Sequence, residues 1–392
     1  MAAYSPQNEQ DIADIVRGAG KGAAIEIVGS GGKRDMGRAA DVNSILHVDA
    51  LAGIVSYEPD ELVITARAAT KLREINEVLA AEKQMLGFSP SDWGPLFVAP
   101  ENSATLGGIV ATGASGSRRV KAGGVRDHVI GLSFVNGMGE VIKAGGRVVK
   151  NVTGFDVPKL MAGAFGTLGV LTELTFRVMA VPEAAPVLAL RNCSVEAGLK
   201  ALRVAAKMPL EATGLAYLPS ALPGSNFAQG AALIRIEGSA ASVADKMARL
   251  KQEFAGLDPI VLEDELGASL FRHIDNGGFF APRDNDLWRL CLPASEAANA
   301  VKYCGAKHWY ADCAGGLLWL ALPATLENQT RLRALTAAYG GHAMLLRASA
   351  EARRKLTVFE PEAPARAGLT RAVKLAFDPD RRLNPARMYK DM

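Results

Sequence analysis

Cysteine is scarce: four residues, at 193, 291, 304 and 313, show no Cys-x-x-Cys spacing. That excludes an iron–sulfur cluster or a zinc ribbon held by this chain alone, and predicts buried, reduced thiols. The five histidines, at 47, 128, 273, 308 and 342, are all widely separated, so no metal site is expected. Long apolar runs are missing too. The longest stretch, around Leu317–Leu322, is far short of the ~20 residues that span a bilayer. Residues Met1–Val16 contain no basic region followed by an apolar core, and the expectation is a cytoplasmic chain. Charge of one sign is also lacking: 44 Lys+Arg against 41 Asp+Glu leaves a formal +3. With no basic stripe interleaved with aromatics, nucleic acid is discounted and a small-molecule partner expected.

Glycine is abundant, 40 in 392 residues, against a usual share of ~7 %. Without a collagen-like period, glycines at this density mark places where backbone comes close to something. The length fits two domains, or one with a cap. Residues 7–16 have helical spacing ended by Gly18 and Gly20; strand-like runs follow at 24–28, 44–49, 54–58 and 61–66, then a helix from Thr70. Glycine clusters punctuate β-branched strands across 100–177, and their density drops after Val181-Pro182-Glu183, where a boundary is placed. Beyond it the pattern predicts strands 215–218, 231–237, 259–262, 287–292 and 343–347. Helices are predicted at 243–254 (N-cap Ser242), 295–304 and 329–338, with a hairpin over 308–322. The class is α+β, and two similar β/α units suggest a ferredoxin-like antiparallel sheet.

Directly after strand 24–28 comes Gly29-Ser30-Gly31-Gly32-Lys33-Arg34-Asp35, whose small residues let successive N–H groups converge on an anion such as a pyrophosphate. Arg34 stands where a Rossmann fingerprint needs its third glycine, and no helix follows at once, so an NAD site is disfavoured. A P-loop is absent. Taken alone, an ordinary turn is about as good a reading. Two further regions shift the balance: Pro100–Gly113 with its Gly107-Gly108 pair, and Gly163-Ala164-Phe165-Gly166-Thr167-Leu168-Gly169-Val170.

Together with Gly123–Asp127, these motifs resemble, over about residues 1–180, the FAD-binding domain shared by vanillyl-alcohol oxidase, p-cresol methylhydroxylase and the FAD-linked 2-hydroxy-acid dehydrogenases. Val149–Val157, Phe377-Asp378-Pro379-Asp380 and Leu383–Met388 resemble most the FAD-binding E subunits of glycolate oxidases. The resemblance implies a two-lobed FAD-binding domain (1–182, lobes 1–66 and 67–182), a ferredoxin-like cap (183–374) and a C-terminal return (375–392). By position, Gly29, Ser30, Gly31, Gly32, Lys33, Arg34 and Asp35 are expected at the pyrophosphate. Pro100, Ser103, Thr105, Gly107, Gly108, Thr112 and Ser115 are expected along the ribityl and flavin side, with Gly166, Gly169 and Val170 approaching through backbone.

Relatives that attach flavin covalently place a histidine where this chain has Lys33, so FAD is expected to be non-covalent. The metal-binding histidine pair of the catalytic family members is missing. The polar candidates are Arg289, which alternates with apolar neighbours and is read as either paired to an acid or clamping a carboxylate; His273, as a hydroxyl-proton acceptor or a plain helix-end residue; and Asn384, near the flavin or in turn chemistry ahead of Pro385. His128 is read as structural. The implied activity is oxidation of a small 2-hydroxy acid, glycolate to glyoxylate, within a complex containing a second flavin subunit and an iron–sulfur subunit. Attachment to the inner membrane would come only through a partner. Two alternatives are a stand-alone FAD-dependent alcohol or sugar oxidoreductase, and a flavin-holding assembly or relay subunit that oxidises nothing itself.

Overall fold

The computed structural model describes all residues except 21, 147–154, 221, 226 and 282–284. Two compact units result: Met1–Ser115 with Gly123–Val181 and Pro361–Met392, and Pro182–Glu360 with the short segment Gly116–Ala122.

The first unit has two sheets. A small parallel one runs in the order Ala2–Tyr4, Ser44–His47, Ile25–Val28. Helix Glu9–Gly18, N-capped by Asn8, buries Ile12, Ala13 and Val16 against Leu46, Val135, Val170 and Leu383. The larger sheet orders Ile54–Glu58, Val63–Arg67, Val170–Ala180, Val129–Val135 and Val141–Gly145, with Gln84–Leu86 also pairing on the long strand. Strands 54–58 and 63–67 belong to this larger sheet, where Val63–Arg67 pairs antiparallel with Val170–Ala180.

The chain returns to this unit at Pro361, earlier than the expected 375. Its helix Pro364–Phe377 carries Lys374, whose Nζ donates to Asp378 Oδ2 (2.7 Å), Thr167 O (2.6 Å) and Leu383 O (3.0 Å). A buried lysine is tolerated only when its donors are used and its charge is paired, and both conditions hold here.

The second unit is one eight-stranded antiparallel sheet. The order along the chain is strand, helix, two strands, helix, strand, and then the same again. The first repeat is Val187–Arg191, Val195–Lys207, Gly214–Leu218, Ala231–Arg235, Ala240–Glu253, Pro259–Val261. The second is Leu287–Cys291, Ala297–Cys304, His308–Asp312, Leu317–Ala321, Leu326–Ala338, His342–Arg347. Two ferredoxin-like βαββαβ motifs thus join edge to edge where Tyr217 pairs with Ala311. Alternate residues, among them Leu188, Ile234, Leu215, Trp288, Leu318 and Leu345, face the helices and form the core. Strand 187–191 and helices 195–207 and 264–276 escaped the sequence reading. Helix 240–253 begins three residues early, with N-cap Ser239, because the Glu183 carboxylate accepts the Ala240 amide at 3.0 Å from outside the helix.

Candidate functional site

In the first unit, strand Ile25–Val28 runs into Gly29–Arg34, which faces the first turn of helix Leu106–Thr112 across a cavity. The walls include all of Gly29–Arg34, then Thr105, Gly107, Gly108, Thr112, Gly166, Gly169 and Asn384. Gly31 has φ +76°, a left-handed conformation that favours glycine. Gly107 has no room for a side chain: a Cβ there meets the Ala68 carbonyl at 2.9 Å, so the backbone itself forms that wall. Thr105 caps the helix, accepting the Gly108 amide at 3.2 Å, and Thr112 Oγ1 donates to the Gly108 carbonyl.

Lys33 brings the charge. Burial drives its ammonium down to about 8, opposed in part by Asp92. An anion seated in the cavity removes that penalty. Ser103 is buried behind Gly32, and its Oγ has no hydrogen-bond partner in the protein; a Cβ on Gly32 would lie 2.7 Å from it. The Arg34 guanidinium is engaged by Glu26 at 2.6 Å, and this pairing raises its already high proton affinity.

Five expected residues do not line the cavity: Ser103, behind Gly32, and four that lie elsewhere. Asp35 and Pro100 are exposed; Ser115 Oγ accepts the Val125 amide at 2.9 Å; Val170 is core, paired with Val135. None of the four lines the cavity. Asn384 does line it, but its side chain serves the backbone: Oδ1 accepts the Ile27 amide (2.9 Å), and Nδ2 donates to the Phe165 carbonyl (2.7 Å). It therefore positions two cavity walls. Ile27, Val48, Ala68, Phe165, Leu171 and Arg387 also line the cavity and went unforeseen; only the last carries a polar signal.

In the second unit, the sheet face turned away from the helices bears Arg235, Arg289, Cys291, Tyr310, Asp312, Trp319 and His342, by the alternation of their strands. Arg289 is partly buried, with its guanidinium carbon 5.5 Å from the Trp319 ring centroid; burial lowers its proton affinity. Helix Asp264–Asn276 covers one side of the face: Phe271 lies 4.4 Å from the Arg235 guanidinium, and Tyr310 Oη donates to the Ile274 carbonyl. On that helix His273 projects outward, exposed, its ring 5.5 Å from that of Phe279.

The segment Gly116–Ala122 brings unforeseen polar chemistry to the same unit. Ser117 Oγ lies 2.7 Å from Asp275 Oδ1 and 3.1 Å from Asp312 Oδ2, while Arg118 pairs with Glu237 at 2.8 Å. Burial first, and Asp275 second, push the Asp312 carboxyl up to about 6. His128 is buried against Phe88, with ring centroids 5.6 Å apart. Part of Val149–Val157 lies outside the described residues. Among the described residues, no group of three or more His, Cys, Asp or Glu is arranged to hold a metal ion, and no helix is long and apolar enough to cross a membrane.

A family model described as FAD binding domain matches residues 2–145. The chain is 34 % identical over 369 residues to glycolate oxidase subunit GlcE of Escherichia coli, covering 94 % of this chain and 93 % of that protein. It is 30 % identical over 185 residues to a D-2-hydroxyglutarate dehydrogenase of Xanthomonas citri, 46 % of this chain and 37 % of that one. Among solved structures, a 4-ethylphenol oxidase from Gulosibacter chungangensis superposes with TM-score 0.70 at 14 % identity, over 99 % of this chain and 89 % of that chain. An alkyldihydroxyacetonephosphate synthase gives 0.68 at 15 %, over 98 % and 75 %. Both show a shared fold.

Proposed function

The chain belongs to the family of glycolate oxidase subunit GlcE, and from this premise we propose that it is the FAD-holding subunit of a complex that oxidises a small 2-hydroxy acid, glycolate to glyoxylate. The observation that carries the reading is the glycine-walled cavity of the first unit with Lys33 at its side. Its residues fit the cofactor. Gly29–Gly32 present backbone to an anion, Lys33 supplies a cation, and Ser103 Oγ is a buried hydroxyl with hydrogen-bonding capacity to spare. Lys33, in place of a linking histidine, supports non-covalent attachment.

When bound, FAD supplies the hydride acceptor for the alcohol carbon. The protein's part is to bind, orient and exclude water. Arg289 offers a planar fork for the carboxylate of a 2-hydroxy acid, and Trp319 holds that fork flat. Because burial penalises its charge, a carboxylate beside it relieves that cost.

Electrons taken up by the flavin leave through partners: a second flavin subunit and an iron–sulfur subunit fit, with the complex cytoplasmic or peripheral to the inner membrane. Arg289→Lys in the reconstituted complex tests the assignment. The expected result is a ten- to hundredfold rise in KM for glycolate, roughly 1.5–3 kcal/mol of lost charge-assisted bonding, at unchanged melting temperature. A lower melting temperature with unchanged kinetics would mean that Arg289 is only an internal partner of this unit.

A further inference from the structure

Cys291 and His342 sit directly opposite each other on adjacent antiparallel strands, a placement that puts their Cβ atoms about 4.5–5.5 Å apart. On that shared face their side chains are neighbours across the two strands. Cys291 is partly exposed and His342 exposed, so solvent reaches the pair. Two residues along the same strand, on the same face, stands Arg289. Arg119, from the segment Gly116–Ala122, adds a second positive charge within electrostatic reach of the sulfur. Cys313 faces the group as a neutral, buried-type thiol pushed well up by burial, and Glu360 faces His342.

The four cysteines therefore divide. Cys193 and Cys304 are buried, with thiols raised by burial. Burial raises Cys291 too, but the His342 imidazole and the Arg289 and Arg119 charges outweigh it, so that Cys291 alone among them is lowered. His342 is correspondingly raised. A thiol facing an imidazole and a guanidinium on one open sheet face is the arrangement of a nucleophile, and a structural cysteine needs neither partner.

We propose that Cys291, His342 and Arg289 form a nucleophilic site for small carboxylates bearing an electrophilic carbon, of the 2-oxo-acid class. Each residue has one task. Arg289 holds the carboxylate. The Cys291 thiol gives its proton to the His342 imidazole as the sulfur forms a bond to the adjacent carbonyl carbon, and the carbonyl π pair passes to its oxygen. The His342 imidazolium gives that oxygen its proton, leaving a hemithioacetal and a neutral imidazole. Nothing is oxidised or reduced, and reversal releases the oxo acid intact. The site shares Arg289 with the 2-hydroxy-acid anchor and rests on that reading, since an aldehyde acid is what oxidation of glycolate delivers; the alkylation below reads Cys291 without the flavin.

Alkylation of the full chain as purified, mapped cysteine by cysteine by mass spectrometry, tests the site without reading flavin turnover. Iodoacetate is the carboxylate probe, iodoacetamide the neutral one, and glyoxylate and acetate are the competitors. The expected result is that Cys291 is modified ahead of the other three, about tenfold faster by iodoacetate than by iodoacetamide. Glyoxylate should protect and acetate protect much less. Arg289→Gln should abolish the anion preference, and His342→Asn should slow both reagents at neutral pH. The competition experiment on the unaltered chain stands even where a variant misfolds. Iodoacetamide outpacing iodoacetate at Cys291 would overturn the proposal. Anion preference without glyoxylate protection would overturn the ligand class, and equal protection by acetate would overturn the covalent step.

Discussion

Asp312 Oδ2 lies 3.1 Å from Ser117 Oγ, a hydroxyl that also contacts Asp275 Oδ1 at 2.7 Å. A serine has one proton to donate, so only one carboxylate receives it; the other contact is best satisfied when Asp312 carries its own proton and donates. Burial and the Asp275 charge favour the same form, raising Asp312 from 3.8 to about 6. The folded state then binds more protons than the unfolded chain between those values. Stability from this group is full below about pH 4 and is lost as pH rises through 6. Asp312→Asn keeps the acceptor for the Cys313 amide and gains a permanent donor. The variant should match the parent near pH 4 and exceed it at pH 8 by on the order of 2 kcal/mol in urea melts. A constant difference across that range would refute the protonated pair.

Lys33 gives a second pH signature, read by cofactor binding. Its proton affinity is depressed to about 8 against an ordinary 10.5, so the apo protein pays for the buried ammonium below pH 8 and recovers stability as pH rises toward 10.5. A pyrophosphate beside it restores the charged form. FAD affinity should therefore fall by up to about tenfold per unit above pH 8. Lys33→Met should stabilise the apo protein at pH 7 while weakening FAD binding about ten- to hundredfold. Acid precipitation should leave all flavin in the supernatant; colour retained in the washed pellet would contradict non-covalent attachment.

Gly31→Asp puts a carboxylate into the loop where amides meet the anion, at a φ of +76° that aspartate adopts more readily than most side chains. Flavin occupancy should be lost, with the circular dichroism of the chain retained. Normal occupancy would move the phosphate site out of this loop.

Lys374→Met strands a fully buried Asp378 and removes donors from Thr167 and Leu383. The expected cost is about 3–5 kcal/mol in chemical denaturation, with Lys374→Met/Asp378→Asn recovering part of it. Protease sensitivity should rise first after residue 361, where the chain returns to the first unit. A loss under about 1 kcal/mol would mean that the pair is dispensable.

The glycine loops were legible in the sequence because backbone approach leaves a compositional mark: Gly29–Gly32, Gly107-Gly108 and Gly166 all line one cavity. Its apolar walls, such as Ala68 and Leu171, were not, since nothing distinguishes a lining alanine from a core one. Arg289 was found through strand alternation, yet its neighbours Trp319 and His342 come from other strands whose register no local pattern reveals. Ser117 carries no local signal, because its partner Asp275 lies 158 residues away. The second βαββαβ motif was readable from its hairpin; the first lost Val187–Arg191 and Val195–Lys207, where only Asn192-Cys193-Ser194 separates a short apolar strand from the helix that Ser194 caps.

The central claim is that this chain holds an FAD that a 2-hydroxy acid reduces. Anaerobic mixing of the FAD-loaded protein with glycolate, alone and with its partner subunits, tests it most directly, followed as bleaching of the flavin's visible absorbance. The account predicts bleaching in the complex that is complete at saturating glycolate and slowed at limiting glycolate by Arg289→Lys. Flavin in this chain that stays oxidised under glycolate in both preparations, while dithionite reduces it, would contradict the account and leave a subunit that carries FAD without oxidising substrate.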